Sequence, residues 1–167
     1  MQDVKPRQDH VARIVAQWAV ERPDLDTAPL QVVGRIHWLA EALHTELRPP
    51  FAAEGLGNGD FDVLAALRRA GRPYALRHRE LTAAMLVTPG TVTKRVDRLV
   101  TRGLVERGAH ESDGRGQLVR LTRPGVRFVD RMMKVHLANE ARLLEALSDK
   151  ERQQLTRLLA KLAASLG

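Results

Sequence analysis

The sequence predicts a mainly α-helical protein in which two helices, separated by a tight turn, are followed by a β-hairpin. Three observations lead to this prediction. Apolar residues recur at helical spacing along most of the chain, one segment led by threonine and proline has the pattern of a short amphipathic helix, and a polar, glycine-containing stretch then separates two short apolar runs. The chain has 167 residues, enough for a hydrophobic core without covalent links.

Four helices are predicted before the most informative segment. Apolar stripes indicate a short helix over residues 10–19 and a longer one over 29–47, which the proline pair at 49 and 50 interrupts before the chain continues. The glycines at 55, 57 and 59 lack a preceding strand and a phosphate-binding lysine, and therefore read as a loop. Further stripes predict helices over 61–67 and 77–87.

The segment from Thr88 to Gly103 has the start and stop signals of a single helix. Thr88 is a suitable N-cap, the following proline suits the first helical position, and Gly103 suits the end. The predicted buried stripe consists of Val92, Val96, Leu99 and Val100. Threonine, lysine and arginine side chains occupy the other faces, which makes this helix the candidate for contact with a polyanion.

A β-hairpin and two further helices complete the pattern. The apolar pair Leu104-Val105 starts one strand, residues 108–116 form a polar loop, and residues 117–122 form the second strand. Together with the preceding helices, this defines a winged helix-turn-helix. The helix that follows directs Val126, Val129, Met132, Met133 and Leu137 inward, and a capping box at residues 148–151 opens a leucine-rich final helix.

The excess of positive over negative charge lies in the middle of the chain. The formal net charge is +7, and residues 60–127 hold fourteen Lys and Arg against seven Asp and Glu, whereas the two flanks cancel. Only Lys94 among these cations is a lysine, and arginine is the better residue for phosphate and guanine contacts. This distribution indicates double-stranded DNA as the partner of the central region, with the apolar flanks as interface.

Other functions are disfavoured by composition. Cysteine is absent, so disulfides, thiolate metal sites and cysteine nucleophiles are excluded, and scattered histidines without a carboxylate pair give no metal or cofactor site. The few serines are poorly placed for a triad, so the chain is not expected to be an enzyme. An apolar run long enough for a membrane span and a signal peptide are both missing, which predicts a cytoplasmic protein.

The residues from the predicted helix through the hairpin resemble the MarR family of bacterial transcription regulators. The most specific segments are TVTKRVDRL at 91–99, GLVER at 103–107, DGRG at 113–116 and VRLT at 119–122. The resemblance covers essentially the whole chain. It implies a homodimer whose recognition helices enter successive major grooves of a pseudo-palindromic site, while the wings reach the adjacent minor grooves.

This resemblance divides the chain into three functional regions. Residues 1–56 carry dimerisation and an effector pocket, 57–122 the DNA-binding winged helix, and 123–167 the C-terminal dimerisation helices. Since one module reads only a half-site, two modules about 10 base pairs apart require a dimer. The candidate DNA-contacting residues are Thr88, Thr91, Thr93, Lys94 and Arg98 of the helix, together with Asp113 and Arg115 of the wing.

Within the family the chain is most similar to the branch that responds to urate or trans-aconitate. The pattern of that branch, a tryptophan, an aspartate and two arginines, corresponds to Trp18, Asp62, Arg95 and Arg107. An aromatic face, two guanidinium groups and a carboxylate can hold a planar or polycarboxylate anion. The implied function is a repressor released from DNA by a small anion of the citrate, trans-aconitate or urate type.

Three alternatives remain open for these four positions. Trp18 can be a packing residue, Asp62 can form an ion pair with Arg95 without any ligand, and Arg95 can face DNA. A constitutive DNA-binding protein without an effector is the corresponding alternative function.

Overall fold

A computed structural model describes residues 9–85, 88–108 and 118–166 of the chain. The elements in these ranges, in chain order, are α1 His10–Glu21, α2 Ala28–Leu47, α3 Pro49–Ala53, α4 Asp60–Arg69, β1 Ala75–Arg77, α5 His78–Met85, α6 Pro89–Thr101, β2 Val105–Gly108, β3 Leu118–Leu121, α7 Arg123–Leu143 and α8 Asp149–Ala164. The predicted mainly helical architecture with a small sheet is confirmed.

Helices α1 and α2 form a compact unit that ends at Arg48, and residues from Pro49 onward form a second unit. Within the first unit, the carboxylate of Asp9 caps α1 by accepting from the backbone of Val11 and Ala12, both at 3.1 Å. It also pairs with Arg35 of α2. The domain boundaries predicted at residues 56 and 122 are divisions of function and stay a prediction.

A three-stranded antiparallel sheet, in the order β1-β3-β2, belongs to the second unit. The two hairpin strands pair from Val105 with Leu121 to Gly108 with Leu118. Strand β1 is an addition to the predicted hairpin. It consists of three residues directly before α5, too few to show a strand periodicity, and its pairing with β3 attaches the helix-turn-helix to the base of the wing.

The core of the second unit lies between α4, the helix-turn-helix and α7. Its fully buried side chains include Leu64 and Leu67 of α4, Leu81 of α5, Val92, Val96 and Leu99 of α6, and Val129 and Met132 of α7. Three of the four stripe residues predicted for α6 are therefore confirmed as buried. The predictions for Val100 and Leu137 are wrong, since both side chains are exposed.

Helix α7 starts directly from the end of the sheet. The Thr122 hydroxyl donates to the carbonyl of Gly103 at 2.7 Å and accepts from the backbone N–H of Gly125 at 3.0 Å. The Gly125 backbone lies so close that a Cβ there would be 1.9 Å from the carbonyl oxygen of Leu104. Glycine is therefore required at this junction, because a backbone atom cannot move aside as a side chain can.

Helix α8 begins with the predicted capping box, in which Ser148 and Glu151 bond each other's backbone N–H. Over its described length, none of its residues is buried within this chain. Its exposed apolar side chains are Leu155, Leu158, Leu159 and Leu162, followed by Leu166. In the part of the chain that the structure describes, no helix is long and apolar enough to cross a membrane.

Candidate nucleic-acid interface

The start of α6 presents two threonine hydroxyls side by side. Thr88 occupies the N-cap position with extended backbone, as predicted, but its side chain does not cap the helix. Its hydroxyl lies 2.9 Å from that of Thr91 instead. The pair stands at a helix N-terminus, where backbone N–H groups and the helix dipole favour an anion.

One turn further along, α6 contacts the first helix of the helix-turn-helix. The imidazole Nε2 of His78, the first residue of α5, lies 3.0 Å from the hydroxyl of Thr93. His78 was not among the residues predicted for the interface, because 15 positions separate it from Thr93 and no motif connects them. Lys94 is the next residue of α6, and its side chain is exposed.

Arg98 is held by a buried carboxylate. Its Nη2 and Nε donate to the two oxygens of Asp60, at 2.5 and 3.2 Å, and the Asp60 side chain is only 1% exposed. The hydrogen bond to Asp60 raises the pKa of Arg98. Asp60 was not singled out from the sequence, where an acidic residue in the first turn of a helix has an ordinary role.

Arg95 and Asp62 come together as a much looser pair. The Arg95 Nη1 is 3.9 Å from the Asp62 carboxylate, which is 66% exposed, whereas the Arg95 side chain is only 14% exposed. The guanidinium lies over Gly59, whose φ is +75° and whose missing Cβ leaves the space that the arginine occupies. The structure thus brings together two of the four residues of the predicted effector site.

Arg107 of β2 pairs with Asp97 of α6. This contact ties the first strand of the hairpin to α6 and pairs the Asp97 carboxylate with a cation. Arg102, at the end of α6, donates to the carbonyl of Glu54 at 2.6 Å. Much of the arginine excess of the central segment is therefore engaged within the protein, which narrows the set of cations that face outward.

The remaining predicted residues lie elsewhere. Trp18 belongs to α1 of the first unit and is 46% exposed there. Asp113 and Arg115 of the wing tip lie outside the described residues. Among the residues that the structure does describe, no group of three His, Asp or Glu side chains is arranged to hold a metal ion.

The two-helix turn followed by the β2-β3 hairpin, with threonine and lysine side chains exposed on its second helix, defines a winged helix-turn-helix protein. Residues 54–116 match the profile of the MarR family. The HTH-type transcriptional regulator PecS of Dickeya dadantii is 35% identical over 156 residues, which cover 93% of this chain and 94% of that protein.

Solved structures agree with this relationship. A cysteine-to-serine mutant of MarR from E. coli, crystallised with operator DNA, has a TM-score of 0.70 and 28% identity and covers 83% of this chain and 99% of its own. AbsC of Streptomyces coelicolor, at 24% identity and a TM-score of 0.73, shares the fold over 85% of this chain and 97% of its own. The chain belongs to the MarR family of DNA-binding transcriptional regulators. Its relatives are named as regulators and not as enzymes.

Proposed function

We propose that this protein is a homodimeric repressor that binds a pseudo-palindromic operator and is released from it by a small anionic metabolite. The observation that carries the proposal is the arrangement of α6. Its start exposes hydroxyl and ammonium groups, while its Arg95 is only loosely paired with the exposed carboxylate of Asp62, which an anion can replace.

The DNA-contacting surface consists of the outer side of α6 and the wing. Thr88 and Thr91 bind a phosphate at the helix N-terminus, and Thr93 and Lys94 reach the major groove. Arg98 supplies a further phosphate contact from the part of its guanidinium that Asp60 leaves uncovered, since its side chain is 47% exposed. The wing residues Asp113 and Arg115 enter the proposal from the sequence alone, with the arginine in the minor groove.

The homodimer is supported by the apolar stripe of α8. Leucines that recur every three or four residues form a continuous face, and burial of that face against a second copy removes it from water. The MarR mutant crystallised with operator DNA supports the use of this fold for DNA binding. Two recognition helices then read two half-sites, which one helix cannot do.

The effector set consists of Trp18, Asp62, Arg95 and Arg107. Asp62 contributes a mostly exposed carboxylate 3.9 Å from Arg95, too far for a close hydrogen bond, so a ligand carboxylate can compete for the guanidinium at small cost. Trp18 is included on the sequence pattern alone. Tricarboxylates of the citrate or trans-aconitate type rank slightly ahead of urate, and all of them offer anionic oxygens to two arginines.

The proposed mechanism of DNA release depends on the contact between Arg107 and Asp97. A ligand that draws Arg107 away leaves Asp97 unpaired on the recognition helix. The uncompensated carboxylate then repels phosphate, and the wing strand loses its tie to α6. DNA affinity falls by as much as the ligand prefers the released conformation over the bound one.

The test is a fluorescence anisotropy titration with duplex DNA from the region beside the protein's own gene. Citrate, trans-aconitate, urate and salicylate are added to the complex. We expect at least one of them to release DNA at or below millimolar concentration. If none does, the effector proposal is wrong and the alternative, a constitutive DNA-binding protein, is favoured.

Single substitutions separate the two sites. Trp18→Phe and Arg107→Ala should weaken the response to the anion more than they weaken basal DNA binding. Lys94→Ala should weaken DNA binding, because a groove contact is lost, and should lower the salt dependence of binding, because one cation near the phosphates is removed. The opposite pattern, with Arg107→Ala abolishing basal binding and sparing the response, would contradict this division.

A further inference from the structure

We infer that Asp60 is a positioning residue for DNA binding, and that residues 57–60 form a seat that fixes the orientation of the recognition helix α6 through Arg98. The structural observation is a carboxylate that is nearly inaccessible to solvent, is satisfied on one side by the loop's own backbone, and is paired on the other with α6. The inference gives a role to the glycine-containing loop before α4, to which the sequence pattern assigned none.

Asp60 joins the loop to the helix by three hydrogen bonds. Its Oδ2 accepts from the backbone N–H of Gly57 at 2.8 Å and from Arg98 Nε at 3.2 Å, and its Oδ1 accepts from Arg98 Nη2 at 2.5 Å. The two guanidinium donors approach the two carboxylate oxygens in a fork, an arrangement that fixes direction as well as distance. A buried charge is costly unless all of its partners are in place, so this contact resists displacement.

The glycines of the loop make room for this contact. A Cβ on Gly57 would lie 3.0 Å from Arg98 Nε and 3.1 Å from Asp60 Oδ2, which places it against the ion pair itself. Gly59, with its left-handed φ, similarly makes room for Arg95. The alternating glycines therefore allow two arginines, one turn apart on α6, to lie against the same short loop.

The geometry gives Arg98 a double role. Its aliphatic stem leaves α6 near Leu99, which is fully buried, and its head is fixed by Asp60, so the last turns of α6 are held from two directions. Rotation or sliding of α6 relative to residues 57–60 would break the two hydrogen bonds between Arg98 and Asp60. Base contacts require side chains to be placed within a fraction of an ångström. By fixing the position of α6, the seat therefore raises the affinity for DNA.

The sign of the effect of Asp60→Asn distinguishes this inference from simple electrostatics. Removing a negative charge from a DNA-binding protein should strengthen DNA binding if only charge matters. If Asp60 positions α6, the nearly isosteric amide should weaken binding about tenfold, because the fork to Arg98 is lost. Affinity is measured by anisotropy on a duplex selected by the wild-type protein from a random library, with the folded fraction determined by circular dichroism.

A double-mutant cycle with Arg98→Met shows whether Asp60 acts through Arg98. We expect the double variant to bind DNA no more weakly than Arg98→Met alone. Additive losses, or tighter binding by Asp60→Asn, would overturn the inference. Asp130→Asn is the matched control, because Asp130 forms a similar two-donor pair with Arg68 that does not touch α6, and it should leave DNA affinity within about twofold.

Gly57→Ala tests the seat without changing any charge. The added methyl group would lie 3.0 to 3.2 Å from atoms of Arg98 and Asp60, so the ion pair must shift by a few tenths of an ångström. We expect a loss of DNA affinity smaller than that of Asp60→Asn and faster amide hydrogen exchange in α6. If Asp60→Asn is poorly folded, hydrogen exchange in α6 of the Gly57→Ala variant still tests the inference. Wild-type affinity together with wild-type protection of α6 in Gly57→Ala would show that the seat does not position the helix.

Discussion

Helices α6 and α8 are both amphipathic, but they use their apolar stripes in opposite ways. In α6 the stripe of Val92, Val96 and Leu99 is fully buried against the rest of the chain. In α8 the leucines are exposed, and none of the described residues of that helix is buried. The contrast shows that an apolar period in the sequence identifies a surface to be covered and does not identify what covers it.

The same contrast explains how the two helices contribute to function. Helix α6 is held by its own chain, so its outer side is presented to a partner with defined geometry. Helix α8 leaves both its polar and its apolar side unburied within this chain, and an open apolar side is the arrangement expected of the proposed dimer interface. The proposed function accordingly assigns DNA reading to α6 and assembly of the dimer to α8.

The strongest test of the buried stripe is Leu99→Ala. Truncating this fully buried side chain leaves a cavity in the second unit and should lower the free energy of unfolding by about 3 kcal/mol. Urea denaturation at a fixed protein concentration, followed by circular dichroism, measures the loss. A change below about 1 kcal/mol would mean that α6 is not packed as described.

The open stripe of α8 is tested by Leu158→Glu. A charge in the middle of the leucines should prevent association while leaving the fold of the single chain unchanged, because this side chain is 56% exposed. Light scattering should show the mass of a monomer, and operator affinity should fall at least about tenfold because one half-site contact is lost. Gln153→Glu places the same charge away from the stripe and should remain dimeric. A dimeric Leu158→Glu variant would locate the interface elsewhere.

The smallest expected effect is a decrease in the free energy of unfolding at low pH. The hydrogen bond from Arg131 lowers the pKa of Glu54 beside the core, and the Ser148 hydroxyl lowers that of Glu151 in α8. Because a lowered folded pKa means that the charged form is stabilised by folding, this contribution is complete above the unfolded pKa and is lost as pH falls through the folded value. Unfolding free energy should therefore decline below about pH 4.5.

Single substitutions show how much of this loss of stability at low pH comes from Glu54 and how much from Glu151. Urea titrations between about pH 3 and 7 should show a shallower decline for Glu54→Gln and for Glu151→Gln than for the unmodified chain. Unchanged slopes in both variants would mean that neither carboxylate is linked to folding.

Periodicity and caps were enough to predict most of the fold. Apolar spacing located the helices, and the capping box of α8 needed only four adjacent residues. Strand β1 was not predicted, because three residues are too few to show an alternating pattern and because its pairing with β3 depends on tertiary contact. Leu137 was placed inward because its stripe continues that of Val129, although α7 extends beyond the core at that point.

The site was predictable where motifs are local and unpredictable where contacts are distant. The spacing of Asp62 and Arg95 was recognised through the family resemblance, and the structure brings them together. The pairing of Asp60 with Arg98 joins residues 38 positions apart, and the contact of His78 with Thr93 joins residues 15 apart. Neither leaves a pattern in one sequence, since any acidic residue or histidine can occupy such positions.

The close approach of Gly125 to Leu104 has a consequence for how the proposed dimer measures DNA. The first turn of α7 packs against the backbone of Leu104, three residues after the end of α6, and this contact couples the position of α7 to that of α6. A small tilt at the subunit interface is therefore carried over as a change in the distance between the two recognition helices. We therefore expect the proposed dimer to require one half-site spacing, so that operators with half-sites one base pair closer or farther apart bind more weakly even when every base is correct.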